Sequence, residues 1–163
     1  MRFSRLVFLL IIYIASPFSM AKNRIVYYEP KVVDLCGVII ILQFPGPPNY
    51  ESIKNGDADE TGGYLMLNKP IDVTLLPKIV SNDSPEKNVK LIQLVVFNQR
   101  FWQKIKEGNV VHVTGTLFRA LTGHHHARVL LKIKKITVLS KRKLGKNKLH
   151  VTNEDQKYLR RFS

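Results

Sequence analysis

Apolar residues between positions 32 and 136 are grouped in short runs separated by turn-forming residues, the pattern of a β-rich domain. The run at 32–44 is β-branched and nearly continuous, which predicts a strand with both faces buried. Prolines at 45–48 end that strand. Further strands are predicted at 63–67, 89–97, 110–119 and 124–136. The sequence therefore predicts a mainly β fold with five strands.

One short helix is predicted between the third and fourth strands. Asn98 is suited to cap it, and Gly108 suits the position after its end. Phe101, Trp102 and Ile105 repeat at helical spacing between them. Three strands, a helix and a hairpin form the element order of a five-stranded OB-like barrel, whose end the helix would close. A small open sheet with one helix is the alternative.

The last two strands are expected to form a hairpin with the three-residue loop 121–123, since Gly123 suits the left-handed third position of such a loop. This register places Phe118 opposite His126 and His112 opposite Lys132. Alternation assigns the inner face to Val111, Val113, Leu117, Val129, Leu131 and Ile133. The outer face would carry His112, Thr114, Thr116, Phe118, His124, His126, Arg128, Lys132 and Lys134, with Leu130 as an apolar exception. Gly115 would allow the tight bend of a barrel strand.

The outer face of this hairpin is the candidate ligand-binding surface because it combines cationic side chains with rings. Its candidate residues are Phe118, His124, His125, His126, Arg128, Lys132 and Lys134. His124 and His126 point to one face and could chelate a metal ion together, whereas His125 points to the other face. Structural zinc takes four ligands, so a polar surface without metal is the alternative.

An acidic segment offers a second candidate metal site. Asp57, Asp59 and Thr61 occupy positions one, three and five of a calcium loop, and a glycine follows at position six. Asn68 stands where an EF-hand requires a bidentate Glu, and the flanking segments are not helical. An EF-hand is therefore excluded, which leaves a looser calcium site or a solvated loop that borders the ligand groove.

The first 21 residues have the pattern of a secretory signal peptide. Arg2 and Arg5 precede an apolar run at 6–15, and Ser19 and Ala21 are small residues at the positions a signal peptidase reads. The run is about half of the roughly 20 apolar residues that span a bilayer, which favours cleavage over a membrane anchor. Later segments lack such a run, so we expect a periplasmic or secreted protein without a transmembrane segment.

Cys36 is the single cysteine of the chain, which excludes a disulfide scaffold. It lies within an apolar run, so we expect a small buried hydrophobic residue. A reactive thiol is the alternative, and the neighbouring Asp34 disfavours the thiolate that it needs.

The chain is strongly basic, with 26 Lys and Arg against 12 Asp and Glu and a formal charge of +14. Two of those charges lie in the signal peptide, which leaves +12. Residues 140–163 hold half of that charge and are expected to form a solvated basic tail that binds anionic surfaces. The expected organisation is a signal peptide at 1–21, an OB-like domain at 22–139 and the tail at 140–163.

The segment from Ala120 to Ile136 resembles an uncharacterised family of exported bacterial proteins that is marked by a Gly-His-His-His motif before an apolar strand. The motif corresponds here to Gly123–His126, followed by Val129–Leu131. Ala127 stands where the family has Thr. The overall plan is also similar to the bacterial periplasmic OB-fold proteins, which bind varied ligands. The resemblance implies a small exported domain and a role for the histidines, without an activity.

No arrangement of catalytic residues and no Gly-rich phosphate loop emerges, so we expect a protein that is not an enzyme and needs no cofactor. Two functions remain open. The first is a periplasmic binding module for an anionic or extended ligand, and the second is an inhibitor or immunity factor that acts on a partner protein. Export and the scarcity of exposed aromatic residues disfavour nucleic acid.

Overall fold

A computed structural model of the chain describes residues 22–77, 79, 84–145 and 149–162, and the predicted signal peptide lies outside them. The described part contains six strands and one α-helix. The strands are β1 (Arg24–Tyr27), β2 (Val32–Pro45), β3 (Asp59–Thr74), β4 (Glu86–Val95), β5 (Asn109–Arg119) and β6 (Val129–Lys141). The helix is α1 (Asn153–Leu159), and 3₁₀ helices lie at Ile53–Asn55, Gln99–Lys104 and Arg160–Phe162. The predicted mainly β fold is confirmed, with β1 as an additional strand.

The strands follow the order β1-β3-β2-β5-β6-β4, and β3 also pairs with β4. Each of β2, β3, β4, β5 and β6 therefore pairs with two others of these five strands, while β1 adds to the side of β3 in parallel. The pairing of β5 with β6 shifts register at Gly115. A Cβ atom at Gly115 would collide with the carbonyl oxygen of Lys132, so the close approach of β6 requires glycine there.

Two apolar clusters lie on opposite faces of the strands. The first contains Ile39 and Leu65, and the second contains their neighbours Ile40 and Met66 together with Leu159 of α1. Because successive side chains of a strand point to opposite faces, the continuous apolar run of β2 serves both clusters. The predicted burial of both faces over 32–44 is confirmed in the middle of the strand, where Val38, Ile39 and Ile40 are all buried, and is wrong for its first residues, which alternate between buried and exposed.

The predicted α-helix between the third and fourth strands is wrong. Residues Gln99–Lys104 form a 3₁₀ helix, and the α-helix lies near the C-terminus. Ile105 is buried and Phe101 packs against the first cluster, but Trp102 is 45% exposed. The apolar residues at helical spacing therefore do not share one buried face.

The predicted hairpin loop is also wrong, because Arg119 pairs with Val129 and residues 120–128 form the connection. Phe118 pairs with Leu130 instead of His126, and His112 pairs with Thr137 instead of Lys132. Between the loop and Gly115 the register is displaced by an even number of residues, which keeps the paired side chains there on their predicted faces, and the shift at Gly115 changes the displacement beyond it. The predicted inner face is accordingly confirmed by the buried side chains of Val111, Val113, Leu117, Val129, Leu131 and Ile133.

The prediction of a solvated basic tail is wrong for residues 149–162. Leu159 lies in the second cluster, and Val151 and Phe162 pack against it. Asp155 is 3% exposed and accepts hydrogen bonds from the backbone N–H groups of Lys90 at 2.8 Å and Leu91 at 3.0 Å. This segment therefore covers the outward face of β2, β3 and β4. Among the described residues, no helix has the length and apolar character to cross a membrane.

Candidate functional site

The three consecutive histidines lie in the loop 120–128 and not in a strand. The Nδ1 atom of His125 accepts hydrogen bonds from the backbone N–H groups of Leu121 at 2.8 Å and Thr122 at 3.3 Å. Burial, followed by the nearby His124 and His126, lowers the pKa of His125. A neutral ring is the form that can accept these bonds. His125 therefore holds the shape of the loop.

His126 is 1% exposed, so its expected place on an exposed face is wrong. Its ring stacks on Phe44 with 4.4 Å between the centroids and meets Phe162 edge-on at 4.6 Å. Its backbone N–H donates to Oε1 of Gln93 at 2.7 Å. The loop turns this side chain into the second cluster, where a strand would have directed it to solvent.

Glu60, at the start of β3, joins two of the three histidines. Its Oε2 atom lies 2.7 Å from Nε2 of His126, and its Oε1 atom contacts Nδ1 of His124. Burial acts to raise the pKa of Glu60, but the hydrogen bonds to His126 and His124 outweigh it and lower the pKa overall. The carboxylate thus ties the loop 120–128 to β3.

His124 and His126, the candidate metal ligands, contact the two different oxygen atoms of the Glu60 carboxylate. In the ranges that the structure describes, no group of three or more His, Cys, Asp or Glu side chains is arranged to hold a metal ion. Metal binding by His124 and His126 stays a prediction. A metal ion would have to replace the contacts to Glu60.

Most of the cationic hairpin candidates have partners within the protein. Arg128 donates to Asp155 at 2.6 Å and to Glu86 at 2.9 Å, and its side chain is 10% exposed. Lys132 pairs with Glu29 at 2.9 Å and lies 4.8 Å from the centroid of Phe118. Lys134 is exposed. Arg128 therefore contributes to packing between loop 120–128, β4 and α1.

The acidic candidates accept hydrogen bonds from β2, from β3 and from the connection between them. Asp57 accepts backbone N–H groups of Asn49, Glu51 and Ser52 at 2.8–2.9 Å. These bonds, that of Ser52 foremost, lower the pKa of Asp57. Asp59 accepts from Thr61 and Gln43, each at 2.7 Å. The carboxylates of Asp57 and Asp59 thus organise the connection between β2 and β3.

A groove of about 670 Å³ lies on another part of the surface. The pairing of β2 with β3 ends at Gly37 and Leu67, whereas the pairing of β1 with β3 begins at Arg24 and Ile71. Pro70, between these pairings, has no N–H group to donate. The groove opens where β2 and β1 diverge on either side of β3.

The groove has a cationic rim and an apolar floor. Lys22, Arg24 and Lys69 are exposed at its rim, and the buried side chains of Leu35, Leu67 and Ile71 line its floor. Asp34 is the acidic residue of the lining. The arrangement suits a ligand that combines negative charge with apolar surface.

Cys36 also lines the groove and is exposed, so its expected burial is wrong. The first residues of β2 alternate, with Val33 and Leu35 inward and Asp34 and Cys36 outward. The apolar run of β2 is buried on both faces only after this point. The alternation of Val33, Asp34 and Leu35 in the sequence is the signal that could have identified it.

The sequence-based prediction missed the groove. Its cationic residues come from two distant segments, 22–24 and 69, and neither segment is a motif. Their proximity depends on β1, which pairs in parallel with the end of β3. The lysine and arginine directly after the predicted cleavage site were the one available signal.

Residues 91–137 match the model of a protein family described as a domain of unknown function (DUF4431). The matched range runs from within β4 into β6 and includes the three histidines. A comparison with curated proteins finds no match. The match assigns no ligand or activity to these residues.

Proposed function

We propose that the protein is an exported, non-catalytic OB-like binding module for an anionic ligand. The observation that carries this proposal is the groove between β1 and β2, with its rim of Lys22, Arg24 and Lys69 and its apolar floor. A cationic rim attracts negative charge, and an apolar floor favours ligands with a hydrophobic or extended part.

The strand pairings support an OB-like barrel. β2, β3, β4, β6 and β5 pair in a ring, and a five-stranded Greek-key barrel has this order. OB domains commonly bind ligands on the face of their second and third strands. Here the corresponding face, on β3 and β4, lies beneath residues 149–162. The groove is therefore a better candidate than this covered face, and it is also a better candidate than the hairpin surface, where Arg128 and Lys132 already pair with acidic side chains.

The proposed export rests on the signal-peptide pattern of residues 1–21. Mass analysis of the periplasmic or secreted protein is expected to find a chain that begins at Lys22. Full-length protein recovered from the cytoplasm would contradict the export.

Ligand binding can be tested with anilinonaphthalene sulfonate, a fluorescent probe that is both aromatic and anionic. We expect saturable binding that weakens as salt is raised, because the rim charges become screened. Lys69→Gln is expected to weaken binding, whereas Lys134→Gln, an exposed lysine outside the groove lining, is the matched control. Equal binding by both variants and the unchanged protein would contradict a site in the groove.

A role as an inhibitor or immunity factor that acts on a periplasmic protein is the second candidate. Two large aromatic residues near the connection from β4 to β5 favour it, since Phe97 is 76% and Trp102 is 45% exposed. Exposed aromatic residues are enriched at protein interfaces. A pull-down from periplasmic extract would favour this function if a single stoichiometric protein is captured and Trp102→Ala releases it. Capture that Trp102→Ala leaves intact would contradict an interface at this connection.

A further inference from the structure

Cys36 on β2 and His112 on β5 are directly opposite each other in an antiparallel pairing. Side chains of such a pair share one face of the sheet, with Cβ atoms about 4.5–5.5 Å apart. Cys36 is exposed and the His112 side chain is 39% exposed. A nucleophilic thiol and a base therefore lie side by side where solvent reaches both.

Asp34 completes this cluster from two residues before Cys36. Its Oδ1 atom lies 3.4 Å from Nε2 of His112 and accepts a hydrogen bond from Thr114 at 2.6 Å. The Asp34 carboxylate therefore lies beside the imidazole of His112, held in place by its hydrogen bond from Thr114. The sequence had suggested that Asp34 opposes a thiolate, but the structure directs its charge to His112.

The groove supplies an independent indication of a ligand at this place. Cys36 and Asp34 both line it, and the rim residues Lys22, Arg24 and Lys69 surround the same opening. Reactive cysteines in proteins occupy partly exposed, electropositive surroundings of this kind. A small anionic molecule bound in the groove would lie next to the Cys36 thiol.

We propose that Cys36 is a thiol-exchange site for small anionic disulfides, with His112 as its base and Asp34 as a positioning residue. Its preference for anionic disulfides rests on the groove of the proposed function. The exchange itself rests on the cluster of Cys36, His112 and Asp34.

The exchange replaces the disulfide bond of the small molecule by a mixed disulfide with Cys36. His112 accepts the thiol proton, and the Cys36 sulfur attacks one sulfur of the disulfide to form a mixed disulfide. The original sulfur–sulfur bond breaks, and its electron pair leaves with the second sulfur as a thiolate. That thiolate takes the proton from the imidazolium of His112. The Cys36 sulfur is oxidised and the leaving sulfur is reduced.

The test is the rate at which purified protein forms a mixed disulfide with glutathione disulfide, followed by mass spectrometry. We expect folded protein to react faster than the chain unfolded in urea. His112→Gln is expected to slow the reaction by roughly three- to tenfold at neutral pH, because it removes the side chain that accepts the thiol proton. His150→Gln, an exposed histidine outside the groove lining, is the matched control.

Asp34→Asn is expected to move the pH profile of the rate towards that of His112→Gln, an effect that a merely structural role would not produce. A rate in His112→Gln equal to that of the unchanged protein would overturn the exchange site. The cationic disulfide cystamine tests the anionic preference separately from the exchange site. A reaction slower with cystamine than with glutathione disulfide is expected only if the cationic groove selects the disulfide. Equal rates with both disulfides would overturn the anionic preference and leave the exchange site standing.

Discussion

At the residue scale, the surroundings of each histidine in the loop 120–128 determine what it does. His126 stacks on Phe44 inside the second cluster, His125 holds the loop by accepting backbone N–H groups, and the His124 side chain is 55% exposed. Glu60 contacts both His124 and His126. The three neighbouring histidines therefore differ in role. His126 contributes to packing, His125 fixes the shape of the loop, and His124 lies at the surface.

His126→Ala is expected to lower the free energy of unfolding by about 2–4 kcal/mol, because it empties a site between aromatic rings and leaves a Glu60 oxygen without its partner. His124→Ala should cost about 0.5 kcal/mol or less, as is usual at exposed sites. Urea denaturation of the two variants measures both values. Similar losses in the two would mean that His126 is not the buried member of the pair.

The lowered pKa of Asp57 predicts that the stability of the folded protein depends on pH. Its pKa is lowered in the folded protein, so its contribution is present above the unfolded pKa of about 3.9 and is lost as pH falls through the lower folded value. Asp57→Asn should therefore melt below the unchanged protein near neutral pH, and the gap should narrow in acid. Melting curves across this range test the sign, with Glu51→Gln as the control. A gap that widens in acid would contradict it.

At the element scale, α1 is attached to the strands through a buried charge. Thr152 caps the helix by accepting the N–H of Asp155, whose carboxylate meets Arg128 and the backbone of β4. Leu159 adds apolar contact in the second cluster. A helix of this length is not stable by itself in water, so its formation depends on these contacts.

Asp155→Ala is expected to cost about 3–5 kcal/mol of folding stability, because it leaves the buried guanidinium of Arg128 without a main partner. Glu154→Ala is the matched control, since the neighbouring Glu154 is exposed and does not contact Arg128 through a hydrogen bond; it accepts one from Asn88 at 3.2 Å. Thermal and urea unfolding measure the difference. Equal stability of the two variants would show that α1 is not anchored through Asp155.

At the scale of the whole molecule, the chain is strongly basic and its C-terminal segment is part of the packing. Truncation after Leu139 would remove the buried residues Asp155 and Leu159 together with the basic residues, so it would destabilise the fold as well as remove charge. Charge must therefore be removed by substitution. Lys141, Arg142 and Lys143 are exposed and follow one another at the end of β6.

Replacing Lys141, Arg142 and Lys143 by Gln is expected to weaken binding to vesicles of anionic phospholipid. Each basic residue near such a surface contributes on the order of 1 kcal/mol, and salt screens the attraction. Melting should change little because the three side chains are exposed. Co-sedimentation with vesicles at low and physiological salt measures the effect. Unchanged binding would place the attraction on other cations, such as the groove rim.

The sequence by itself determined the β-rich class and the faces of the last two strands. Alternation of polar and apolar residues at 111–118 and 129–133 depends on the geometry of a strand, so it held although the predicted register was displaced. The burial of Val38, Ile39 and Ile40 on both faces was likewise readable from their continuous run. These properties are local, because they arise from neighbours along the chain.

Only the tertiary structure decided where the chemistry of the protein lies. Glu60 meets His126 across 66 positions, Asp34 bonds Thr114 across 80, and Arg128 meets Asp155 through the folding back of α1. The groove likewise depends on β1 adding to β3 in parallel. Residues so far apart carry no shared pattern in the sequence, since their proximity is a consequence of strand order and of the packing that covers the second cluster.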